Sequence, residues 1–227
     1  FISPLVNLVY PHACLVCGRE GVLVCPRCLF SLPQSQPACL GCGVASQFGQ
    51  TCGGCRERVM IDGLLTLSPF DDRRVQRLVK ALKYDNIRAH IAPWLEARHD
   101  LLLQFHEERV IVPVPLHKKR EQHRGYNQAE VIARAVAVMT GWPVVPALCR
   151  TRPTEDQTTL TKIERAKNVA GAFAVQADLA WTVNGQHMLL VDDVATTGAT
   201  LNAAAGEFKK AGAASVWAFT LAHADQK

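Results

Sequence analysis

The chain has 227 residues, 48% of them apolar and 20% charged, with a formal net charge of +5. That balance excludes a disordered chain, and the length allows one sizeable domain plus something small, at roughly 100–200 residues per domain. No apolar run approaches the ~18 residues that would span a membrane.

In chain order, FISPLVNLVYP comes first. Ser3 can cap a short helix with Pro4 at its first position, and Pro11 stops it. Leu5, Leu8 and Val9 form an apolar face expected to dock on the protein. The stretch lacks the basic region and small-residue cleavage site of a signal peptide.

Cysteines follow. Of nine in the chain, eight lie in the first quarter; Cys149 stands apart and reads as a small buried apolar residue. Without an export signal they argue against a disulfide framework. CLVCGREGVLVCPRC supplies Cys14, Cys17, Cys25 and Cys28; CLGCGVASQFGQTCGGC supplies Cys39, Cys42, Cys52 and Cys55. A two-residue gap lets both thiolates of a tight turn face one ion, and Gly18 and Gly43 relax those turns. Two such turns complete a tetrahedral Cys₄ set, the closed geometry of structural zinc. Soft thiolates exclude magnesium and calcium, and iron–sulfur clusters more often show irregular spacing. Sequential pairing, each ion closed within its own half, is the simpler reading; spacing alone leaves interleaved pairing open. Four thiolates leave no position for substrate, so both zinc ions are structural, and in a head poor in large apolar residues they supply most of the folding free energy. Two Zn²⁺ on eight thiolates bring the net charge to about +1. Any case for nucleic-acid binding therefore rests on local clustering. The head ends near Met60, which predicts domains at 1–60 and 61–227.

Beyond it, Leu64 to Leu67 predicts a strand. Val75, Leu78, Val79 and Leu82 recur at helical spacing, ringed by Arg73, Arg74, Arg77, Lys80 and Lys83. RVIVPVPL, Arg109 to Leu116, is a β-branched strand ending in prolines, followed by the basic HKKREQHRGYNQ. A helical pattern then runs through Val131, Ile132, Ala135, Val136 and Met139, and Val144 to Cys149 predicts another strand. After a polar stretch, Asn184–Gly185 turns the chain into a strand over Met188 to Val191. A helix over Ala199 to Ala211 ends at Gly212, and Val216 to Leu221 is the last strand. Strands alternating with helices imply a mainly parallel sheet covered on both faces, with ligands at the carboxyl ends of its strands.

That rule places a ligand on MLLVDDVATTGAT, Met188 to Thr200. Backbone N–H groups at the helix start favour an anion. Gly198 permits close approach, and Thr196, Thr197 and Thr200 add hydroxyls. The cradle suits a phosphate. Asp192 and Asp193 would repel it, so they address another part of the ligand; vicinal sugar hydroxyls with a nearby Mg²⁺ fit best.

The run resembles the phosphoribosyl diphosphate (PRPP) motif of type I phosphoribosyltransferases. With VPVPLHKKREQHRGYNQAE, Gln157 and Leu160, Arg165 to Phe173, and the double Cys₄ head, the chain resembles the ComF family of competence-associated proteins over essentially its whole length. The resemblance implies a type I phosphoribosyltransferase-like α/β domain behind a double zinc ribbon. By similarity, Ala195, Thr196, Thr197, Gly198, Ala199 and Thr200 hold the 5′-phosphate, and Asp192 and Asp193 take the ribose hydroxyls and the Mg²⁺ complex. The pyrophosphate lies over Leu116, His117, Lys118 and Lys119, with Arg120 at hand. Gln157 to Gly171 corresponds to the loop that closes over the ribose in active relatives, bearing Lys162, Arg165 and Lys167. Catalytic candidates are Asp192, Asp193, Lys162 and Arg165, and transfer would proceed by positioning and electrostatics.

Three readings follow. In the first, the protein handles single-stranded DNA in natural transformation, beside a competence helicase at the inner face of the cytoplasmic membrane. Its candidate DNA contacts are Lys118, Lys119, Arg120, Arg124, Lys80 and Lys83. In the second, it is a phosphoribosyltransferase of unassigned acceptor, since nothing between Leu64 and Arg109 reads as a nucleobase pocket. In the third, it is a PRPP-sensing scaffold whose ribbons meet a protein partner. The oligomeric state is left open.

Overall fold

Four strands of four to nine residues, largely buried, build the centre of the molecule. In the computed structural model, residues 13–85, 87–117, 121, 122, 124–152 and 161–224 are described, with only the backbone given at 162, 163, 165 and 166. The expected helix before Pro11, the loop residues Lys118, Lys119 and Arg120, and Gln157 and Leu160 lie outside the described residues, as do the side chains of Lys162 and Arg165. Among the described residues there are six strands: β1 (Gly63–Pro69), β2 (Val110–Pro113), β3 (Leu148–Arg150), β4 (Phe173–Val175), β5 (His187–Ala195) and β6 (Ser215–His223). The helices are α1 (Pro26–Ser31), α2 (Arg73–Tyr84), α3 (Ile91–Glu96), α4 (Asp100–Leu103), α5 (Gln128–Thr140), α6 (Lys162–Val169) and α7 (Ala199–Lys210). No helix is long and apolar enough to cross a membrane among those described.

Four strands form a parallel sheet in the order β1-β6-β5-β2. Side chains alternate between its faces with period two. Leu65, Leu67, Leu189, Val191, Phe219 and Leu221 face α2, α3 and α5, meeting Val75, Leu78, Leu82, Trp94, Ile132 and Val136. Leu64, Val112, Met188, Leu190, Val216 and Ala218 face α7 through Leu201, Ala204 and Phe208. Two of the helices that cover the sheet start on side-chain caps. The Asp72 side chain accepts the Arg74 and Val75 N–H groups of α2, the Asn127 side chain accepts the Ala129 N–H of α5, and such caps each contribute about 1 kcal/mol.

Two expectations need correction. The run Val144 to Cys149 is not one strand. Val144 bridges Ile111 in parallel, while Leu148–Arg150 leaves the sheet and pairs antiparallel with β4. The prolines at 143 and 146 each lack an N–H, which breaks a continuous ladder. The strand expected over Met188–Val191 also runs on through Ala195. Asp192 and Val194 pair with Thr220 and Ala222 of β6, so the loop proper is Thr196 to Gly198.

The Cys-rich head packs along the β1 side of this sheet. Ser35 N–H donates to Leu67 O at 3.2 Å, Thr51 N–H to Asp62 O at 2.8 Å, and Gln50 bridges Gly63. Arg74 donates to Ser31 O at 3.0 Å, and Arg77 donates to Leu15 O and Val16 O at 3.3 and 3.2 Å. Asn202 of α7 accepts the Met60 N–H. The ribbons are therefore stitched to β1, α2 and α7, not tethered by one linker.

Candidate functional site

Two cysteine clusters form in the head, Cys14, Cys17, Cys25 and Cys28, then Cys39, Cys42, Cys52 and Cys55, with all sulfurs of a set within 4.8 Å of one another. Pairing is sequential. A tetrahedron with Zn–S of about 2.3 Å has edges of about 3.8 Å. Cys17 and Cys25 Sγ stand 3.8 Å apart, and Cys42 and Cys52 Sγ 3.7 Å. Both sets fit a structural zinc ion. Burial alone would raise the Cys14 thiol, but N–H groups of Cys17, Cys25 and Val16 outweigh it and bring it down to about 6. Cys39 behaves alike: burial opposed by the N–H groups of Cys52, Gly41 and Cys42 leaves it near 6. The first knuckle of each set thus favours one thiolate, while burial and neighbouring thiols push Cys28 up to about 12 and neighbouring thiols push Cys52 up to about 11.

The loop expected to cradle a phosphate follows the end of β5. Gly198 takes φ +71° and ψ 5° immediately before α7, a left-handed conformation that glycine adopts without a Cβ penalty. Ala195, Thr196, Gly198, Ala199 and Thr200 line a small pocket there together with Asp192. Thr197 Oγ1 accepts the Ala199 N–H at 3.4 Å. The head reaches this loop: an added Cβ on Gly198 would lie 2.3 Å from Leu40, the residue between the second knuckle's Cys39 and Gly41.

The two aspartates part company. Asp193 is 8% exposed and turns toward α2, where its Oδ1 lies 2.9 Å from Lys83 Nζ. Asp192 stays on the cradle. Burial, then the adjacent Asp193 charge, raise the Asp192 carboxyl to about 7; the Asp193 N–H, Lys83 and Arg150 pull the other way. The Asp192 side chain accepts that N–H at 2.8 Å.

Across the sheet, Val114 N–H donates to Val191 O at 2.9 Å and carries the chain to Leu116 and His117 beside β5. Arg150 donates to Pro115 O at 2.9 Å with its guanidinium 5.0 Å from the Phe173 ring. The element Arg124 to Gln128 knits three parts together. The Tyr126 hydroxyl donates to Leu82 O, Asn127 donates to Val114 O at 3.0 Å, and Arg124 sits over the Tyr84 ring at 5.2 Å while donating to Gln128 at 3.0 Å.

The basic cluster of α2 divides. Arg74 and Arg77 hold the first ribbon and Lys83 holds Asp193; of the cations this helix exposes, Arg73, Arg77 and Lys80, Arg77 is thus already engaged with the ribbon. Sequence reasoning missed Lys83 and Arg150 as neighbours of the acidic pair. Lys83 follows the buried Leu82 at the edge of the helix's apolar stripe, and its reach toward β5 leaves no periodic signal.

A double zinc ribbon family model matches residues 5–56, and a phosphoribosyl transferase domain model matches residues 129–227. "DNA utilization protein YhgH" of Escherichia coli K12 is 30% identical over 94% of this chain and 98% of its own length. "Competence protein F" of Haemophilus influenzae is 30% identical over 84% of this chain and 86% of its own. The chain belongs to the ComF family. "Competence protein ComFC" of Bacillus subtilis is 37% identical over 49% of this chain and 43% of its own. The ComF assignment accounts for the tandem architecture, a Cys₄ pair in front of a phosphoribosyltransferase-type sheet.

Proposed function

We propose that this protein binds PRPP with Mg²⁺ at the β5–α7 cradle and handles single-stranded DNA in natural transformation. Thr196 to Thr200 take the 5′-phosphate on the N-terminus of α7. Asp192 and Asp193 address the ribose, and the loop from Leu116 to Lys119 takes the pyrophosphate. The observation that carries this reading is the left-handed Gly198 at the mouth of α7, set directly behind two adjacent carboxylates. Hard carboxylate oxygens suit Mg²⁺, which when bound neutralises pyrophosphate charge.

The DNA half of the reading draws on relatives named for competence and DNA utilization. Exposed Arg73 and Lys80, with Lys118, Lys119 and Arg120, supply cations for a phosphate backbone. The last three also border the pyrophosphate position, so the two ligands compete. One titration series on zinc-loaded protein tests both halves: Mg²⁺–PRPP and a short single-stranded oligonucleotide, separately and together, with pyrophosphate release followed. Saturable PRPP binding that weakens DNA binding is expected. A DNA curve unmoved by saturating Mg²⁺–PRPP sinks the competition.

A cavity of about 850 Å³ favours one alternative, an active phosphoribosyltransferase. It lies between the second ribbon and β1, lined by Leu40, Phe48, Thr66, Asp100, Gln104 and His223 among others. Leu40 joins it to the Gly198 loop. Such a chamber has room for an acceptor, built from the head where the stretch between Leu64 and Arg109 alone showed none. Pyrophosphate release stimulated by a base or amine, and lost in Asp192→Ala, supports that alternative.

A further inference from the structure

Two adjacent carboxylates at a strand end repel each other, and a ligand carrying phosphate and pyrophosphate adds more negative charge to the same place. Cations must be supplied from somewhere. The structure supplies one from an element outside the loop and motif, Lys83 at the last turn of α2. Its Nζ lies 2.9 Å from Asp193 Oδ1, and its side chain keeps 23% of its surface exposed against 12% for Asp193. The ammonium has three donors, of which Asp193 takes one, and the field of Asp192 reaches it as well.

The surroundings fix this lysine in place. Leu82, its neighbour in sequence, accepts the Tyr126 hydroxyl through its backbone carbonyl. Tyr84, the neighbour on the other side, lies under Arg124. Asn127 ties the same element to Val114 at the start of the pyrophosphate loop. One five-residue element therefore locks the turn that carries Lys83 and the loop across the cleft from it.

We propose that Lys83 is a ligand-binding cation of the PRPP site, delivered by α2 and held in register by Tyr126, and that it meets the ribose and pyrophosphate side of the ligand. This rests on the PRPP reading above. Lys83 shares the anionic load with Mg²⁺, so the need for metal grows when it is removed.

Calorimetric PRPP titrations of zinc-loaded full-length protein at millimolar and micromolar Mg²⁺ test the idea. Lys83→Met weakens PRPP binding about 10- to 100-fold, the range for a lost hydrogen bond to a charged group, and the deficit is larger at low Mg²⁺. Tyr126→Phe, which keeps the lysine but frees its turn, gives a smaller loss of the same Mg²⁺-sensitive kind. Arg134→Met removes one exposed positive charge on α5 and leaves both titrations unchanged. If Lys83→Met binds PRPP as the parent does at both Mg²⁺ levels, Lys83 is only a fold-stabilising partner of Asp193 and the proposal falls while the PRPP reading stands. Tighter binding by Lys83→Met makes the lysine a blocking counter-ion and overturns the proposal equally. If Lys83→Met fails to fold, an unchanged Tyr126→Phe decides against it. A parent protein that binds no PRPP at either Mg²⁺ level overturns the reading and the proposal together.

Discussion

Leu40 and Gly198 touch across the two halves of the molecule, the side chain of one filling the space where a Cβ on the other would stand, 2.3 Å from Leu40 Cδ2. A knuckle residue flanked by a cysteine of the second Cys₄ set thus rests on the glycine that opens α7, in the proposed phosphate loop. Gly198→Ala meets two penalties, a left-handed backbone costing about 1–2 kcal/mol and displacement of Leu40. Lower melting temperature and PRPP affinity reduced by about tenfold or more are expected. Adding Leu40→Ala recovers the part due to the clash and leaves the backbone part, which thermal melts of the single and double variants separate.

With PRPP at the Gly198 loop as proposed, the same contact should make the second zinc ion matter more to its binding than the first. Cys39→Ser removes a ligand beside Leu40, and Cys14→Ser removes one from the first set. Each variant should hold one zinc per chain in place of two, counted by native mass spectrometry. Each should also melt earlier, because metal binding is folding free energy. PRPP affinity should fall further in Cys39→Ser; equal losses in both variants would contradict the coupling.

Asp192 sets a pH dependence opposite to that of ordinary carboxylates. Its folded value, raised to about 7 from 3.8, means that between those values the unfolded chain has given up a proton that the folded chain keeps. Stability attributable to this group is full below the lower value and lost as pH rises through the upper one. Asp192→Asn removes that loss, so the variant should melt above the parent at pH 8 by a margin that shrinks toward pH 6, while its PRPP affinity falls. A stabilised variant with a damaged site is what a functional carboxylate predicts.

Arg77 and Lys80 lie one turn apart on α2 in different settings, Arg77 bonded to the first ribbon and Lys80 exposed. Arg77 donates to Leu15 O and Val16 O, so Arg77→Ala should cost about 1 kcal/mol and speed zinc release to a chelator. Lys80→Ala should leave the melt and the zinc untouched and lower single-strand affinity, with a shallower salt dependence by about one charge. If both changes weaken DNA binding equally, the division of this helix into anchor and contact is wrong.

Legibility in the sequence followed the range of the interaction. Cysteine spacing is local, and it placed both Cys₄ sets; a glycine in front of a helix is local too, and Gly198 stands at the start of α7 as the motif indicated. The extension of β5 was hidden because Asp192 to Ala195 look like a loop in one strand and become a ladder only beside Thr220 and Ala222 of another. Val144 and Leu148 read as one strand because alternation cannot tell which sheet a residue joins. Lys83, Arg74 and Arg77 looked like one solvated basic face, since a long side chain can turn back into the fold without disturbing the periodicity around it. What escaped was what depended on partners on other elements, 27 residues away for Leu148 and Val175 and farther for the rest.

The bonds from Ser35 and Thr51 to the β1 side of the sheet have a consequence beyond positioning. A parallel sheet ends in a row of unpaired peptide groups, and such a row invites another chain to add to it. Here that border is guarded by a segment whose own shape depends on bound metal. A molecule short of zinc should therefore lose its guard as well as its ribbons, and expose the peptide groups at Asp62 and Leu67 that the head now pairs. Metal supply should then set how long the protein stays in solution, and a sheet domain cut away at residue 61 should precipitate where the whole chain does not.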